Sequence, residues 1–218
     1  MPQSDNTTEN VSKETGLTPS EQPLSTEYVP LTEEQIQAAH LTEVVPWNGP
    51  ILLVEYDPEW PWLFEREAAR IRAALGERVL LLEHVGSTSV PGLAAKPRID
   101  IVLAVADSSD ESAYVAPLKE SGYVLHIREP DWFQHRLFKG PDTAVNLHIF
   151  TQGCSEIDHM LLFRNRLRRN EADRQLYERT KKELAQQNWK YTQNYADAKT
   201  GVVREIMARA QADVAGEG

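Results

Sequence analysis

Cysteine is nearly absent from this sequence, which has one, Cys154, among 218 residues. A single cysteine excludes an internal disulfide and any metal site built from several cysteines. Long apolar runs are also missing, since none approaches the ~18 residues that a helix needs to cross a bilayer. The first residues, MPQSDNTTENVSKETG, have neither a basic start nor an apolar core, so no secretory signal is expected. These absences predict a cytoplasmic protein without a membrane partner.

Basic residues are outnumbered by acidic ones, 23 against 33. The formal net charge is −10, and residues 1–40 carry seven acidic side chains against one lysine. A protein that binds nucleic acid usually shows a basic surface, so this composition disfavours nucleic acid as a partner. It remains compatible with a local cationic pocket for one phosphorylated ligand. Residues 1–30 are polar and cannot bury enough apolar surface to offset chain entropy, which predicts a disordered acidic tail.

The pattern of apolar residues predicts a domain over 31–213 of the α+β class (α/β-like). Its first part, about 50–150, reads as a mixed β-sheet with helices packed on it, and its second part, about 155–213, reads as a helical annex. Near-continuous apolar strands indicate a sheet that is covered on most of its surface. The predicted strands are 51–56, 79–85, 98–105, 123–129, 133–140 and 144–150. The predicted helices are 31–40 with a Thr32–Gln35 capping box, 57–76 with Asp57 as the N-cap, 110–121, one capped by Ser155 and Asp158, 171–187 and 191–212.

A loop of small residues, HVGSTSVPG (84–92), follows the strand predicted at 79–85. Gly86 allows the backbone to approach a ligand closely. The hydroxyls and amides of Ser87, Thr88 and Ser89 are suited to hold an anion. The same residues equally fit a turn that caps its own helix and binds nothing, and the loop alone does not decide between these alternatives.

Asp100 lies in the middle of the apolar strand predicted at 98–105. A buried carboxylate is costly unless it is paired or coordinates a metal. Lys96 or Arg98 could neutralise it. Alternatively, Asp100 could hold Mg²⁺ beside phosphates that the loop binds, since Mg²⁺ is commonly held by one or two carboxylates plus phosphate oxygens. His84, directly before the loop, is a candidate for ligand contact or for orienting Asp100.

The strands over 123–150 supply further polar candidates. Arg128 or Arg136 could hold a phosphate bidentately, and His148 could ligate a metal or act as a general base. Strand alternation places His126 with Arg128, and Asn146 with His148, on shared faces. Each histidine and arginine could instead be a solvated surface residue. The basic run RNRLRR (164–169) could contact an acidic partner or RNA, but a solvated face or pairing with the acidic tail is favoured.

These motifs have a counterpart in a known family. The segment HVGSTSVPGLAAKPRIDI resembles the hallmark of the GrpB-like family, which has the fold of DNA polymerase β-type nucleotidyltransferases. The resemblance runs from ILLVEYDPEWP through REPDWFQHRLFKGPDTAVNLHIF to YADAK, over about residues 45–210. It implies that Gly86 and Ser87 contact nucleotide phosphates, that Asp100 holds Mg²⁺, and that the element with Tyr195 and Lys199 folds back over the cleft and offers the lysine to a phosphate.

The sequence also departs from the superfamily pattern. The second acid would fall at Val102, and the third on a later strand, where this chain has Asn146 and His148. Two-metal phosphoryl transfer needs cations that bridge the attacking and leaving oxygens, so one metal or none is expected here. The GrpB-like family shares the single acid. It tends to have histidine where this chain has Phe133, so the resemblance assigns no role to position 133.

Three functions follow from these observations. The first is a nucleotidyltransferase that moves a nucleoside monophosphate from a triphosphate to an unidentified acceptor. In it, the loop cradles phosphates, and His148 or His84 assists deprotonation of the acceptor. Charge is neutralised by Lys96, Arg128, Arg136 and Lys199. The second is a non-catalytic module that binds a nucleotide or phosphometabolite, because GrpB-like domains fused to dephospho-coenzyme A kinase suggest an accessory role. The third is an interaction domain with a vestigial pocket.

Overall fold

One mixed β-sheet organises the part of the chain that the structure, a computed structural model, describes, namely residues 31–216. The tail predicted at 1–30 lies outside these residues. The strand order is β1-β2-β5-β4-β3; β2 and β5 are parallel, and the other neighbouring pairs are antiparallel. The strands are β1 (Leu81–Val85), β2 (Ile99–Val105), β3 (Val124–Glu129), β4 (His135–Lys139) and β5 (Val145–Thr151). The predicted hairpin of the last two strands is confirmed.

Seven α-helices surround the sheet within residues 31–216. They are α1 (Glu33–Ala39), α2 (Trp60–Leu75), α3 (Val115–Glu120), α4 (Ser155–Arg169), α5 (Glu171–Ala185), α6 (Thr192–Ala198) and α7 (Thr200–Gly216). Short 3-10 turns occur at Gly76–Arg78, Ser87–Ser89 and Glu111–Ala113. The α+β class and the helical annex are therefore confirmed. No helix of the described chain is both long enough and apolar enough to cross a membrane.

Helix termini agree with the predictions in part. The Thr32–Gln35 capping box of α1 is present in both directions. Helix α2 begins later than predicted, because the Asp57 carboxylate accepts from the Glu59 amide at 2.8 Å and so caps a turn ahead of the helix. The N-cap of α4 is Cys154, without a side-chain bond, and not the predicted Ser155.

Both faces of the sheet are covered, as the continuous apolar strands predict. On one face, Ile101 and Leu103 of β2 pack with Leu147 of β5 beneath α2 and α3. On the other face, Val102 packs with Phe150 and with Ile157 of α4. Alternation along β2 therefore places Asp100 and Val102 on the face of the helical annex.

The strand predicted at 51–56 is wrong. This segment makes one isolated bridge, between Val54 and Ala95. Its apolar residues are shared between two partners: Ile51 packs with Ala185 and Tyr195 of the annex, whereas Val54 packs against the core under α2. A β-ladder needs one neighbouring strand along the whole segment. This segment instead packs its two ends against different clusters, so it forms no ladder.

Candidate functional site

A cleft of about 1070 Å³ opens between the annex face of the sheet, the helical annex and the chain that enters the domain. It begins where β2 starts, so the Gly86 turn, Asp100 and the ends of β4 and β5 all border it. The polar residues that line it include Gly86, Ser87, Thr88, Lys96, Arg98, Asp100, His126, His135, Lys139, Asn146, His148, Lys181, Tyr195 and Lys199. The structure thus brings together most of the predicted site residues.

Asp100 lies on the floor of this cleft. Asn146, its direct partner on β5, donates from Nδ2 to Asp100 Oδ1 at 2.7 Å, and His148 Nε2 lies 3.9 Å from the same oxygen. Burial raises the pKa of Asp100, but His148 and Asn146 outweigh it, so the pKa lies below its ordinary value. The carboxylate is therefore ionised at neutral pH and held within a hydrogen-bonded set.

Gly86 makes room for Asp100, and it also borders the cleft. Gly86 has φ 69° and ψ −173°, a conformation that only glycine adopts readily. A Cβ at this position would lie 2.5 Å from Asp100 Oδ2. The space that glycine leaves open is thus filled by the carboxylate of the neighbouring strand.

The hydroxyls of the turn are used mainly inside it. Thr88 donates from Oγ1 to the Arg98 carbonyl at 3.0 Å, and Ser89 donates from Oγ to the Gly86 carbonyl at 2.6 Å. Both side chains are buried, so the expected contacts of these two hydroxyls with a ligand are replaced by internal ones. Ser87 is partly exposed and borders the cleft, so its hydroxyl is the one from this turn best placed for a ligand.

His84 lies on the opposite face of the sheet from Asp100. It pairs with Ile101, stacks on Phe64 of α2 at 5.0 Å, and its Nε2 contacts Thr88 Oγ1 at 3.0 Å. Burial, the largest effect, lowers the pKa of His84 to about 4, so the ring is neutral at pH 7. The expected catalytic role of His84 is therefore corrected: it supports the turn from the rear, because one residue of strand register reverses the direction of a side chain.

Five basic residues converge on the cleft: Lys96, Arg98, Lys139, Lys181 and Lys199. Burial, followed by the charges of Lys199 and Arg98, lowers the pKa of Lys96 to about 8. Burial and then Arg98 lower the pKa of Lys139 to about 8. Burial and then Lys199 lower the pKa of Lys181 to about 7. These cations repel one another across a partly dry space, so an anion between them would stabilise all of them.

The ring of Tyr195 contacts two of these lysines. The ammonium groups of Lys96 and Lys199 lie over its ring, at 5.3 and 4.9 Å from the centroid. The predicted proximity of Tyr195 and Lys199 is therefore confirmed, although the helix predicted at 191–212 is divided at Lys199 into α6 and α7. The Tyr195 hydroxyl is buried and has no hydrogen-bond partner among the residues that the structure describes.

Arg128 and Arg136 do not extend into the cleft as the sequence predicts. Arg128 donates two bonds of 2.6 Å to Glu111, and Arg136 donates one of 2.6 Å to the same carboxylate. The hydrogen bond from Arg128 and the charges of both arginines lower the pKa of Glu111 to about 2. A bulge between Leu125 and Ile127 shifts the register, so His126 faces the cleft and Arg128 only borders it. A bulge of this kind is not visible in an alternating pattern.

A chain of polar side chains ends at His148. Glu129 Oε2 lies 2.7 Å from His135 Nδ1, and His135 Nε2 lies 3.1 Å from His148 Nδ1. With Glu129 ionised, the bond from His135 Nδ1 leaves Nε2 as an acceptor for His148 Nδ1–H. This arrangement holds the His148 ring with Nε2 toward Asp100 and the cleft.

Three arginines of the basic run of α4, Arg164, Arg166 and Arg168, are paired within the protein. Arg164 donates to Glu83 at 2.7 Å and to the His84 carbonyl at 2.9 Å, and Arg168 donates to the Ser89 carbonyl at 2.9 Å. These two arginines hold both ends of the Gly86 turn. Lys139 and Lys181 are also site residues that the sequence analysis missed. Lys181 lies outside the motifs quoted above, whereas Lys139 lies within REPDWFQHRLFKGPDTAVNLHIF, where alternation along β4 was the available signal.

The side chains around Asp100 determine which metal chemistry the cleft could support. No group of three or more His, Cys, Asp or Glu side chains is arranged for metal binding within residues 31–216. Asn146 Oδ1 accepts from Lys139 at 2.6 Å, so its amide faces Asp100 as a donor, and Val102 is buried in hydrocarbon. These residues do not fit a metal held by the protein alone. Asp100 alone could add one ligand to an Mg²⁺ that a phosphorylated molecule brings in on its own oxygens.

Comparison with known proteins places the chain among relatives. A family model described as GrpB protein matches residues 50–209. A UPF0157 protein of Halalkalibacterium halodurans is 58% identical over 188 residues, which cover 86% of this chain and 96% of that protein. Conserved protein GrpB from Enterococcus faecalis has a crystal structure that matches with a TM-score of 0.65 at 31% identity, over 75% of this chain and 99% of that chain. A dephospho-CoA kinase of Mycolicibacterium paratuberculosis is 31% identical over 142 residues, covering 53% of this chain and 35% of that protein. The segment 31–49 lies outside the family match.

Proposed function

Because the chain belongs to the GrpB family, whose model matches residues 50–209, we propose that it binds a phosphorylated small molecule, such as a nucleotide, in the cleft between sheet and annex. The observation that carries this proposal is the convergence of Lys96, Lys139, Lys181, Lys199 and Arg98 on one cavity. The pKa values of three of these lysines are lowered, first by burial and then by the repulsion of neighbouring cations. A polyanion is the ligand that relieves it.

The local geometry favours an extended phosphate ligand over a small anion such as a single carboxylate. Ser87 and the lysines present hydrogen-bond donors from the Gly86 turn and from the helical annex, so donors approach from two sides. Asp100 is ionised within this donor set, so it disfavours any small anion that would lie directly against it. An extended ligand with several phosphate oxygens can contact the lysines and stay clear of Asp100.

A second candidate, nucleotidyl transfer, is supported by His148. Its Nε2 borders the cleft beside Asp100, at the place where a base could take the proton of an acceptor hydroxyl that attacks the ligand's α-phosphorus. Mg²⁺ bound to the phosphates would neutralise charge on them. Binding without transfer remains our primary proposal, because Val102 removes the second acid of the superfamily pattern.

The relative named dephospho-CoA kinase suggests one class of ligand to test. The matching segment covers 35% of that protein, so its activity does not transfer to this chain. It does support testing dephospho-coenzyme A beside the nucleoside triphosphates. In this view the chain is an accessory binding module for phosphorylated metabolites.

The test is a thermal-shift screen of the full chain with four nucleoside triphosphates, dephospho-coenzyme A and inorganic tripolyphosphate, each with and without Mg²⁺. We expect a rise in Tm that grows with ligand concentration and is lost in Lys96→Met and Lys199→Met. Lys182→Met is the matched control, because Lys182 follows Lys181 in α5 but pairs with Glu178 at the surface. No shift with any of these ligands would refute phosphate binding.

Nucleotidyl transfer is tested with the same probes. A shift that requires Mg²⁺ and disappears in Asp100→Asn would support it, provided that mass spectrometry also detects pyrophosphate release. A shift that is independent of Mg²⁺ and persists in Asp100→Asn would leave binding as the function. His148→Gln should then retain binding, whereas it should abolish turnover if transfer occurs.

A further inference from the structure

The segment 31–49, termed here the N-terminal strap, crosses the mouth of the cleft. At one end, the Leu41 amide donates to the His126 carbonyl of β3 at 3.0 Å. At the other end, the Trp47 amide donates to the Lys190 carbonyl, just before α6, at 2.7 Å. The strap therefore links the edge of the sheet to the helical annex and adds a wall that the family match does not include.

The side of the strap that lines the cleft is largely apolar. Its apolar lining residues include Leu31, Ile36, Val44, Val45 and Trp47. Val45 remains 79% exposed and Trp47 55% exposed, although both border a cavity. Large apolar side chains at the wall of a cleft gain free energy when a ligand covers them. The cationic part of the cleft and this wall therefore select for two different parts of one molecule.

Trp47 is held in place for such a contact. Its indole Nε1 donates to the Pro50 carbonyl at 3.0 Å, which fixes the edge of the ring. The Gly49 backbone lies beside the same edge, because a Cβ there would be 3.4 Å from Nε1. A ring that is fixed at its edge and exposed elsewhere loses little freedom when a planar group stacks on it.

We propose that the N-terminal strap binds the non-phosphate part of the ligand, and that this part is a flat aromatic group such as a nucleobase that stacks on Trp47. This inference rests on the proposed function, since it assigns the second half of the same ligand. The volume agrees with it: a cleft of about 1070 Å³ far exceeds the space that a phosphate chain alone fills.

The experiment measures affinity by titration calorimetry on the full chain, with ATP, GTP, CTP, UTP and inorganic tripolyphosphate as probes. In the wild type, at least one nucleotide should bind more tightly than tripolyphosphate. Trp47→Ala should weaken that nucleotide about tenfold and leave tripolyphosphate unchanged, since stacking of a base on an aromatic side chain has an effect of that order. Trp47→Phe should restore most of the affinity. Trp62→Ala, at a tryptophan that is 60% exposed on α2 outside the lining, is the matched control and should change nothing.

Other results would overturn the inference in distinguishable ways. Equal weakening of nucleotide and tripolyphosphate by Trp47→Ala would mean that the strap acts on the cleft as a whole and recognises no base. Unchanged nucleotide affinity would exclude Trp47 from the site. If the wild type binds tripolyphosphate and every nucleotide equally, phosphate binding stands and the strap inference fails. If it binds no probe, both fail together.

Discussion

The carboxylate of Asp100 packs against Gly86 so closely that any side chain at residue 86 would collide with it. The two residues flank the junction of β1 and β2, where Val85 and Asp100 are cross-strand partners. This contact explains why a loop of small residues and a carboxylate in an apolar strand occur together in the sequence. The glycine makes room for the acid, and the acid faces the cleft.

Gly86→Ala should therefore destabilise the protein by about 3 kcal/mol, through backbone strain and the collision with Asp100. Gly92→Ala is the matched control, because Gly92 has φ 76° but open space around its Cα. It should cost only the strain, about 1 kcal/mol. Urea unfolding of both variants measures the difference. Equal losses would show that the contact with Asp100 contributes nothing.

The affinity for a polyanion should fall as pH rises, whereas the unfolding free energy of the ligand-free protein should rise. The pKa values of Lys181, Lys96 and Lys139 are lowered to about 7, 8 and 8 in the folded protein. A bound polyanion favours their charged forms, so nucleoside triphosphate affinity should fall as pH rises from 7 to 9.5. Each proton taken up on binding changes affinity by up to about tenfold per pH unit. Calorimetry at pH 8 in two buffers of different ionisation enthalpy should detect this uptake.

Without ligand, the same lysines should make stability rise with pH. Between about pH 7 and 10 the unfolded chain keeps protons that these lysines have lost in the folded state, so the unfolding free energy increases with pH. Lys181→Met should flatten this rise, and Lys182→Met should not. Thermal unfolding in buffers from pH 6.5 to 9.5 provides the comparison. A rise that is identical in both variants would contradict the assignment.

Glu111 should matter for stability and not for ligand binding. Glu111→Gln leaves Arg136, which is almost fully buried, without its charged partner, and should cost about 2 kcal/mol. Because the pKa of Glu111 is lowered to about 2, its contribution is present above its ordinary pKa and is lost as pH falls from about 4.5 toward 2. Denaturant unfolding at pH 7 and pH 3 tests both statements.

Arg128→Met should leave the thermal shift by nucleotides intact, because Arg128 is paired with Glu111. Loss of that shift would show that Arg128 contributes to ligand binding.

Arg164 should position the Gly86 turn. Arg164→Met removes the bonds to Glu83 and the His84 carbonyl, and should cost about 2 kcal/mol and weaken tripolyphosphate binding several-fold. Arg169→Met, at an exposed arginine of the same helix, should do neither. Lower stability with unchanged affinity would limit Arg164 to a structural role.

The sequence by itself determined the regular part of this protein. Alternation and apolar runs located β1 to β5, and capping residues located α1, because these signals arise between residues that are close in the chain. It also determined the family, through the motif around Gly86 and Asp100 that the family match confirms. It failed at 51–56, where apolar residues alone could not reveal that Ile51 and Val54 pack in different clusters.

Tertiary structure decided which polar residues share the cleft. The register of β1 against β2 turned His84 away from Asp100, and the bulge in β3 directed Arg128 to Glu111. The packing of α5 against Val90 and Leu93, after the Gly86 turn, brought in Lys181, which is 81 residues from Asp100 in the chain. The charge of a pocket is set by side chains that meet only after folding. Residue types and spacing therefore could indicate an anion site, but they could not determine which cations form it.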